Sequence, residues 1–169
     1  RDHVDGGLLA QFSFHSEVRV RLAKRLIEVA PAGFEKVYFW TTGSEAIESA
    51  FRIAREWGRQ KNPEKVHILT HVGNYHGCTL GAHQLSGSSA SKPWLAGPDP
   101  GIHHFPFPHH PSQGQAATSK HWESFFDASI DELNNRGIAA TNIAAVFIET
   151  IQGWVAITLP IPYLQRLRR

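Results

Sequence analysis

Between residues 36 and 70 the apolar pattern changes period twice, and few folds accommodate that. Lys36-Val-Tyr-Phe-Trp40 is a short run of aromatic and β-branched residues, as a buried strand requires. Ala46, Ile47, Ala50, Ile53, Ala54 and Trp57 then recur at helical spacing and draw one stripe along a helix at 44–59. Val66-His-Ile-Leu-Thr70 returns to strand character. Strand, helix and strand in succession predict a β-α-β unit, whose usual form is parallel and right-handed.

The junction Thr41-Thr-Gly-Ser-Glu45 reads in two ways. Thr42 and Glu45 fit a capping box, in which Gly43 only lets the chain turn. The same junction leaves N–H groups and a partial positive charge at the helix start, where a phosphate can be held. It is not a Walker loop, because no Gly-Lys-Ser/Thr follows.

The rest of the chain extends the alternation. A helix is predicted over 16–30, with Ser16 as its cap and Pro31 and Gly33 as its stop. Gly73-Asn-Tyr-His-Gly77 is a turn-rich segment that leads into a short helix at 79–85. Trp122, Phe125, Phe126, Ile130 and Leu133 share one side of a helix at 120–136, which Gly137 ends. Ala144-Ala-Val-Phe-Ile148 is apolar on both faces, as a central parallel strand should be, and runs into Glu149. The fold class is therefore α/β: a mostly parallel sheet with helices on both faces, in three layers. In such sheets ligands bind beyond the carboxyl ends of the strands. Gly43/Ser44, Gly73–Gly77 and Glu149–Gly153 all follow strand ends and are expected to converge on one crevice.

Residues 86–118 break the pattern. They are rich in Ser, Gly and Pro without sustained period, and a loop this long in a compact domain is functional or disordered as a rule. His103-His104 and His109-His110 raise the question of a metal. No carboxylate or cysteine accompanies them at ligand spacing, so no metal is assigned, and the expectation is a proline-stiffened surface loop. His67 and His71 fall on one face of a strand, where a solvated or core-edge role is expected.

The totals exclude several classes. The 169 residues suffice for one domain with a real core, and no internal boundary or repeat is visible, so 1–169 is taken as a single partial domain. A formal charge of +2 with scattered basic residues is no nucleic-acid footprint. The lone cysteine, Cys78, cannot form an internal disulfide and fits a reducing compartment, the cytoplasm by default. No apolar run approaches a membrane span. The sequence starts at Arg1, contains no methionine, and ends in a helical stripe of Tyr163, Leu164 and Leu167, so a piece of a longer protein is expected.

Three segments in this order resemble the class III, fold type I, pyridoxal-phosphate aminotransferases. They are Val37-Tyr-Phe-Trp-Thr-Thr-Gly-Ser-Glu-Ala46, Asn74-Tyr-His-Gly77 with Thr79-Leu-Gly81, and Ala145-Val-Phe-Ile-Glu-Thr-Ile-Gln-Gly153. Leu22, Leu26 and Ala30-Pro31 before them, and Tyr163, Leu164 and Arg168 after them, keep the same register. The resemblance implies the large domain of such an enzyme. It implies that Gly43 and Ser44 hold the cofactor phosphate, Tyr75 stacks on its ring with His76 beside it, and Glu149 with Gln152 organises the substrate end. Implied partners are a small-molecule amino donor, a keto acid acceptor and a second subunit in a homodimer, with neither nucleic acid nor membrane. The family's Schiff-base lysine and its preceding aspartate match nothing here. Lys24, Lys36, Lys61, Lys65, Lys92 and Lys120 stand elsewhere, so no catalytic residue is assigned and the chain alone is expected to be inactive. Relatives with mutase, decarboxylase or racemase chemistry stay open, as does a non-catalytic assembly or regulatory module. Two departures stand out: Thr150 replaces the family's proline, and Trp154-Val-Ala156 replaces a glycine-rich stretch.

Overall fold

The computed structural model describes residues 16–108, 118–154 and 156–169. The chain divides into two units, residues 1–39 and 40–169. In the first, helix α1 (Glu17–Val29) starts at Ser16, whose hydroxyl accepts from the Arg19 N–H at 3.4 Å. This is the predicted 16–30 helix with its predicted cap. The expected strand at 36–40 is absent: residues 34–40 are irregular, and Tyr38 and Trp40 stay exposed. Aromatic and β-branched content favours a strand, but a ladder partner is what holds one. The β-α-β unit anticipated over 36–70 therefore lacks its first strand.

The second unit opens with α2 (Gly43–Lys61), followed by β1 (His67–His71), α3 (Leu80–Leu85), β2 (Ile102–Phe105), α4 (Ser119–Asn135), β3 (Ile143–Phe147), the short strands β4 (Ile151–Gln152) and β5 (Ile157–Thr158), and α5 (Ile161–Leu167). β1 pairs parallel with β2 on one side and with β3 on the other. Parallel neighbours need crossover connections, and α3 and α4 lie in them. β4 and β5 form a separate antiparallel pair.

Alternation along β1 sorts the layers. Leu69 joins Phe105, Phe107, Trp122, Leu133, Ile138, Leu159 and Tyr163 in the main core, between the sheet and α4 and α5. Thr70 points the other way and donates its hydroxyl to the Leu85 carbonyl of α3 at 3.1 Å. Helices thus cover both faces, as the α/β reading requires.

Two expectations are corrected here. The middle strand is β1; β3 has a sheet neighbour on one side only among the described residues, and all five of its side chains are half-buried. Apolarity on both faces shows that a strand is covered above and below, and leaves its place in the strand order open. The 86–118 segment is not loop throughout: Ile102–Phe105 is a core strand, and Ser89–Ser91 is a 3₁₀ turn. Four residues between Gly101 and Pro106 are too short for a periodic signal. The His109-His110 pair lies outside the described residues.

Candidate active site: a helix mouth and an aromatic loop

The capping box at the start of α2 is real. The Thr42 hydroxyl accepts from the Glu45 N–H at 3.3 Å, and the Glu45 carboxylate accepts from the Thr42 N–H at 3.0 Å. The Ala46 N–H goes to the Thr42 carbonyl at 3.1 Å. Of the four N–H groups that a helix start leaves open, those of Gly43 and Ser44 have no partner among the described residues. The box therefore does not compete with anion binding. It fixes the first turn and leaves its two outermost donors unspent at the positive end of a 19-residue helix. The Ser44 hydroxyl accepts from the Cys78 N–H at 3.2 Å, which leaves its own proton to donate.

The loop after β1 approaches this mouth closely. Gly77 has φ +134°, and a Cβ there would stand 2.4 Å from Ser44 Oγ, so both its conformation and its neighbour demand glycine. Thr42, Gly43, Ser44, Ile47, Tyr75 and His76 border one open cleft of about 600 Å³. The Tyr75 ring is half exposed, and its hydroxyl lies 3.6 Å from Cys78 Sγ, which raises the phenol above its ordinary range.

His76 is buried and belongs to the loop's support. Its Nε2 lies 3.2 Å from Thr70 Oγ1, and its backbone N–H donates to Ser86 Oγ at 2.9 Å. Burial lowers its pKa, against a smaller opposing pull from Glu149. Ser86 in turn donates to the Gly77 carbonyl at 3.1 Å. This buried brace escaped the sequence reading, since nothing distinguishes Ser86 from the serines that follow it.

Glu149, just past β3, ties two loops together. One carboxylate oxygen accepts from the Tyr75 N–H at 2.9 Å and the other from the Gly153 N–H at 3.3 Å. Tyr75, Glu149, Gly153 and Trp154 surround a second cavity of about 370 Å³, and the Trp154 ring stands edge-on to Tyr75 at 6.4 Å between centroids. Gln152 is buried, with its amide against Gly73, and does not line either cavity. The hairpin after it carries the one positive φ of a non-glycine residue among the described residues, Ala156 at +52°. That conformation costs a non-glycine residue about 1–2 kcal/mol.

The three segments expected to meet in one crevice border two cavities instead, with Tyr75 in both; Cys78 bonds to Ser44 and Tyr75 to Glu149. The histidines of the sheet go elsewhere. His71 is fully buried, with Nε2 2.9 Å from the Tyr163 hydroxyl, and burial brings it down to about 4. His103 lies 2.9 Å from His67 and accepts from Arg136 at 3.4 Å; burial, then His67, lowers it to about 4 as well. Among the described residues no three His, Cys, Asp or Glu side chains gather as a metal site would need.

The donor set fits a phosphate ester carrying a flat ring: two backbone N–H groups without a partner among the described residues, a hydroxyl proton and an aromatic wall. Residues 6–169 match the family described as aminotransferase class-III. The chain is 32% identical over 158 residues to an ornithine aminotransferase of Saccharomyces cerevisiae, covering 90% of this chain and 34% of that protein. It is 31% identical over 147 residues to an isoleucine 2-epimerase of Lentilactobacillus buchneri, covering 83% and 30%. An ω-transaminase of Pseudomonas jessenii solved in complex with PMP superposes with TM-score 0.78 at 25% identity, over 95% of this chain and 36% of that one. The chain thus spans about a third of the length of the proteins it matches.

Proposed function

This chain belongs to the class-III aminotransferases, and we propose that the protein containing it moves an amino group from an amino acid, ω-amino acid or amine to a keto acid through pyridoxal phosphate. The observation that carries this reading is the pair of unspent N–H groups of Gly43 and Ser44, opening on the cleft that Tyr75 walls. When bound, pyridoxal phosphate supplies an aldehyde that condenses with amines and a pyridine that draws electrons from the substrate carbon.

In this reading the Gly43 and Ser44 N–H groups and the Ser44 hydroxyl donate to the phosphate, where hydrogen bonds to an anion are strongest. Tyr75 lies against the ring and limits its rotation. His76 and Gln152 keep the two loops in place from beneath, and Glu149 holds Tyr75 and Gly153 together at the substrate end. Residues 1–169 form part of one large domain. None of the six lysines borders either cavity, so the amine that holds the cofactor covalently comes from outside this chain, and the chain alone does not catalyse transfer. A cytoplasmic homodimer accords with this reading, and no described helix is long and apolar enough to cross a membrane.

The test is to add pyridoxal phosphate to the full-length protein, record absorption, and reduce with borohydride. Trapping on a lysine outside residues 1–169 and amino transfer to 2-oxoglutarate or pyruvate are expected. Binding without transfer, but with inversion of an amino acid's α-carbon, would favour racemase chemistry, which the epimerase relative supports as a second reading. No binding would leave a non-catalytic module.

A further inference from the structure

Ser44 and Glu48 stand one turn apart on α2, and both reach the same short stretch of the next loop. Ser44 takes the Cys78 N–H. Glu48 takes three more donors on a single oxygen, Oε1: the Thr79 hydroxyl at 2.6 Å, the Gly81 N–H at 2.7 Å and the Ala82 N–H at 3.0 Å. These are the cap and first turn of α3. Thr79 is the N-cap of that helix yet makes no capping bond to it, having given its hydroxyl to Glu48 instead. A carboxylate from another helix thus performs the capping, with its charge at the positive end of α3. Gly81 is what lets it in, since a Cβ there would stand 2.3 Å from Glu48 Oε2.

The consequence reaches Tyr75. The loop from Tyr75 to Ala82 leaves β1 through a turn and has few ways to fix its distance from α2. The Ser44 bond is long at 3.2 Å, whereas the Glu48 bonds are short and charge-assisted. We infer that Glu48 is a positioning residue, a clasp that fixes the Tyr75 ring over the helix mouth so that the phosphate cradle and the ring wall exist as one piece before the cofactor arrives; this rests on the pyridoxal-phosphate reading above. The cradle donors belong to α2 itself and do not need the clasp. The ring wall does.

That asymmetry supplies the test, on the full-length protein. Glu48→Ala is expected to weaken pyridoxal phosphate about tenfold and to cut the circular dichroism induced in the cofactor band by more than about half, while inorganic phosphate binds within about twofold of wild type. Glu48→Gln keeps an acceptor at Oε1 and is expected to restore cofactor affinity to within about threefold. Thr79→Val removes one of the three bonds and covers the case in which Glu48→Ala does not fold; an effect of about two- to threefold is expected. A Glu48→Ala protein that melts earlier but keeps wild-type cofactor affinity and dichroism would reduce Glu48 to a helix cap and overturn the inference. So would inorganic phosphate weakening in step with the cofactor. Wild-type protein that binds neither phosphate nor cofactor would instead sink the aminotransferase reading itself.

Discussion

Two polar clusters lie near the carboxyl end of the same strand, built from similar side chains, and they behave in opposite ways. On the α4 side, the Tyr163 hydroxyl meets His71 Nε2 inside a shell of Phe105, Phe107 and Phe125, and Tyr163 is fully buried. On the α2 side, the Tyr75 ring is half exposed and the donors of Gly43 and Ser44 are unspent. A buried polar group must be paired, because leaving it unpaired costs about 1–3 kcal/mol. An exposed one is paired by water and can exchange that water for a ligand. The first cluster spends its His71–Tyr163 bond on the fold, with His71 Nδ1 buried and unpaired among the described residues, and the second holds its donors in reserve.

Breaking the closed cluster should have the largest effect. Tyr163→Ala is expected to destabilise by about 3–5 kcal/mol and Tyr163→Phe by about 1–3 kcal/mol, read from urea midpoints, with phosphate binding unchanged wherever the variant is folded. Comparable loss of phosphate affinity in folded Tyr163→Phe would mean the two clusters are not separate.

Acid should probe the same side. His71 and His103 are held neutral down to about 4, against an ordinary 6.5 in the unfolded chain. Between those values the unfolded state binds protons that the folded state refuses, so stability present at neutral pH is lost as pH falls from about 6.5 to about 4. Unfolding free energies from urea titrations at pH 7, 5.5 and 4.5 should decline by about 2–5 kcal/mol in all, and His103→Gln should flatten the decline. A flat profile in the wild type would contradict the burial argument.

The open cluster should respond in binding alone. Ser44→Ala is expected to weaken phosphate and pyridoxal phosphate about tenfold, by titration of absorbance, with a urea midpoint within about 0.5 kcal/mol of wild type. The smallest effect is assigned to Glu149→Gln, whose single amide oxygen still accepts from the Tyr75 N–H while its NH2 replaces the oxygen that takes the longer Gly153 bond. A loss of about twofold in cofactor affinity is expected by titration of absorbance, and a larger one would show that the charge or the hold on Gly153 acts on the ligand.

Much of the candidate site was legible in order along the chain. Thr42 and Glu45 announced the helix start, and Gly73 to Gly77 announced a turn after a strand. Glu149 announced itself as a carboxylate at the end of an apolar strand. The Ser86 brace and the Glu48 clasp were invisible, because each joins residues that are distant in sequence and ordinary in type. Ile102–Phe105 was hidden among prolines, and Lys36–Trp40 looked more like a strand than it is.

What the sequence determined by itself was local: where helices begin and end, which stripes are apolar, and that the alternation requires an α/β sheet. Short-range sterics and hydrogen bonding decide those matters within a few residues. Tertiary structure alone decided that β1 is the middle strand and which tyrosine is sealed and which left open. It also decided that the capping box leaves the Gly43 and Ser44 N–H groups unspent on the same helix turn. Those outcomes depend on which surfaces meet, and no periodicity along a chain encodes the partner on the other side.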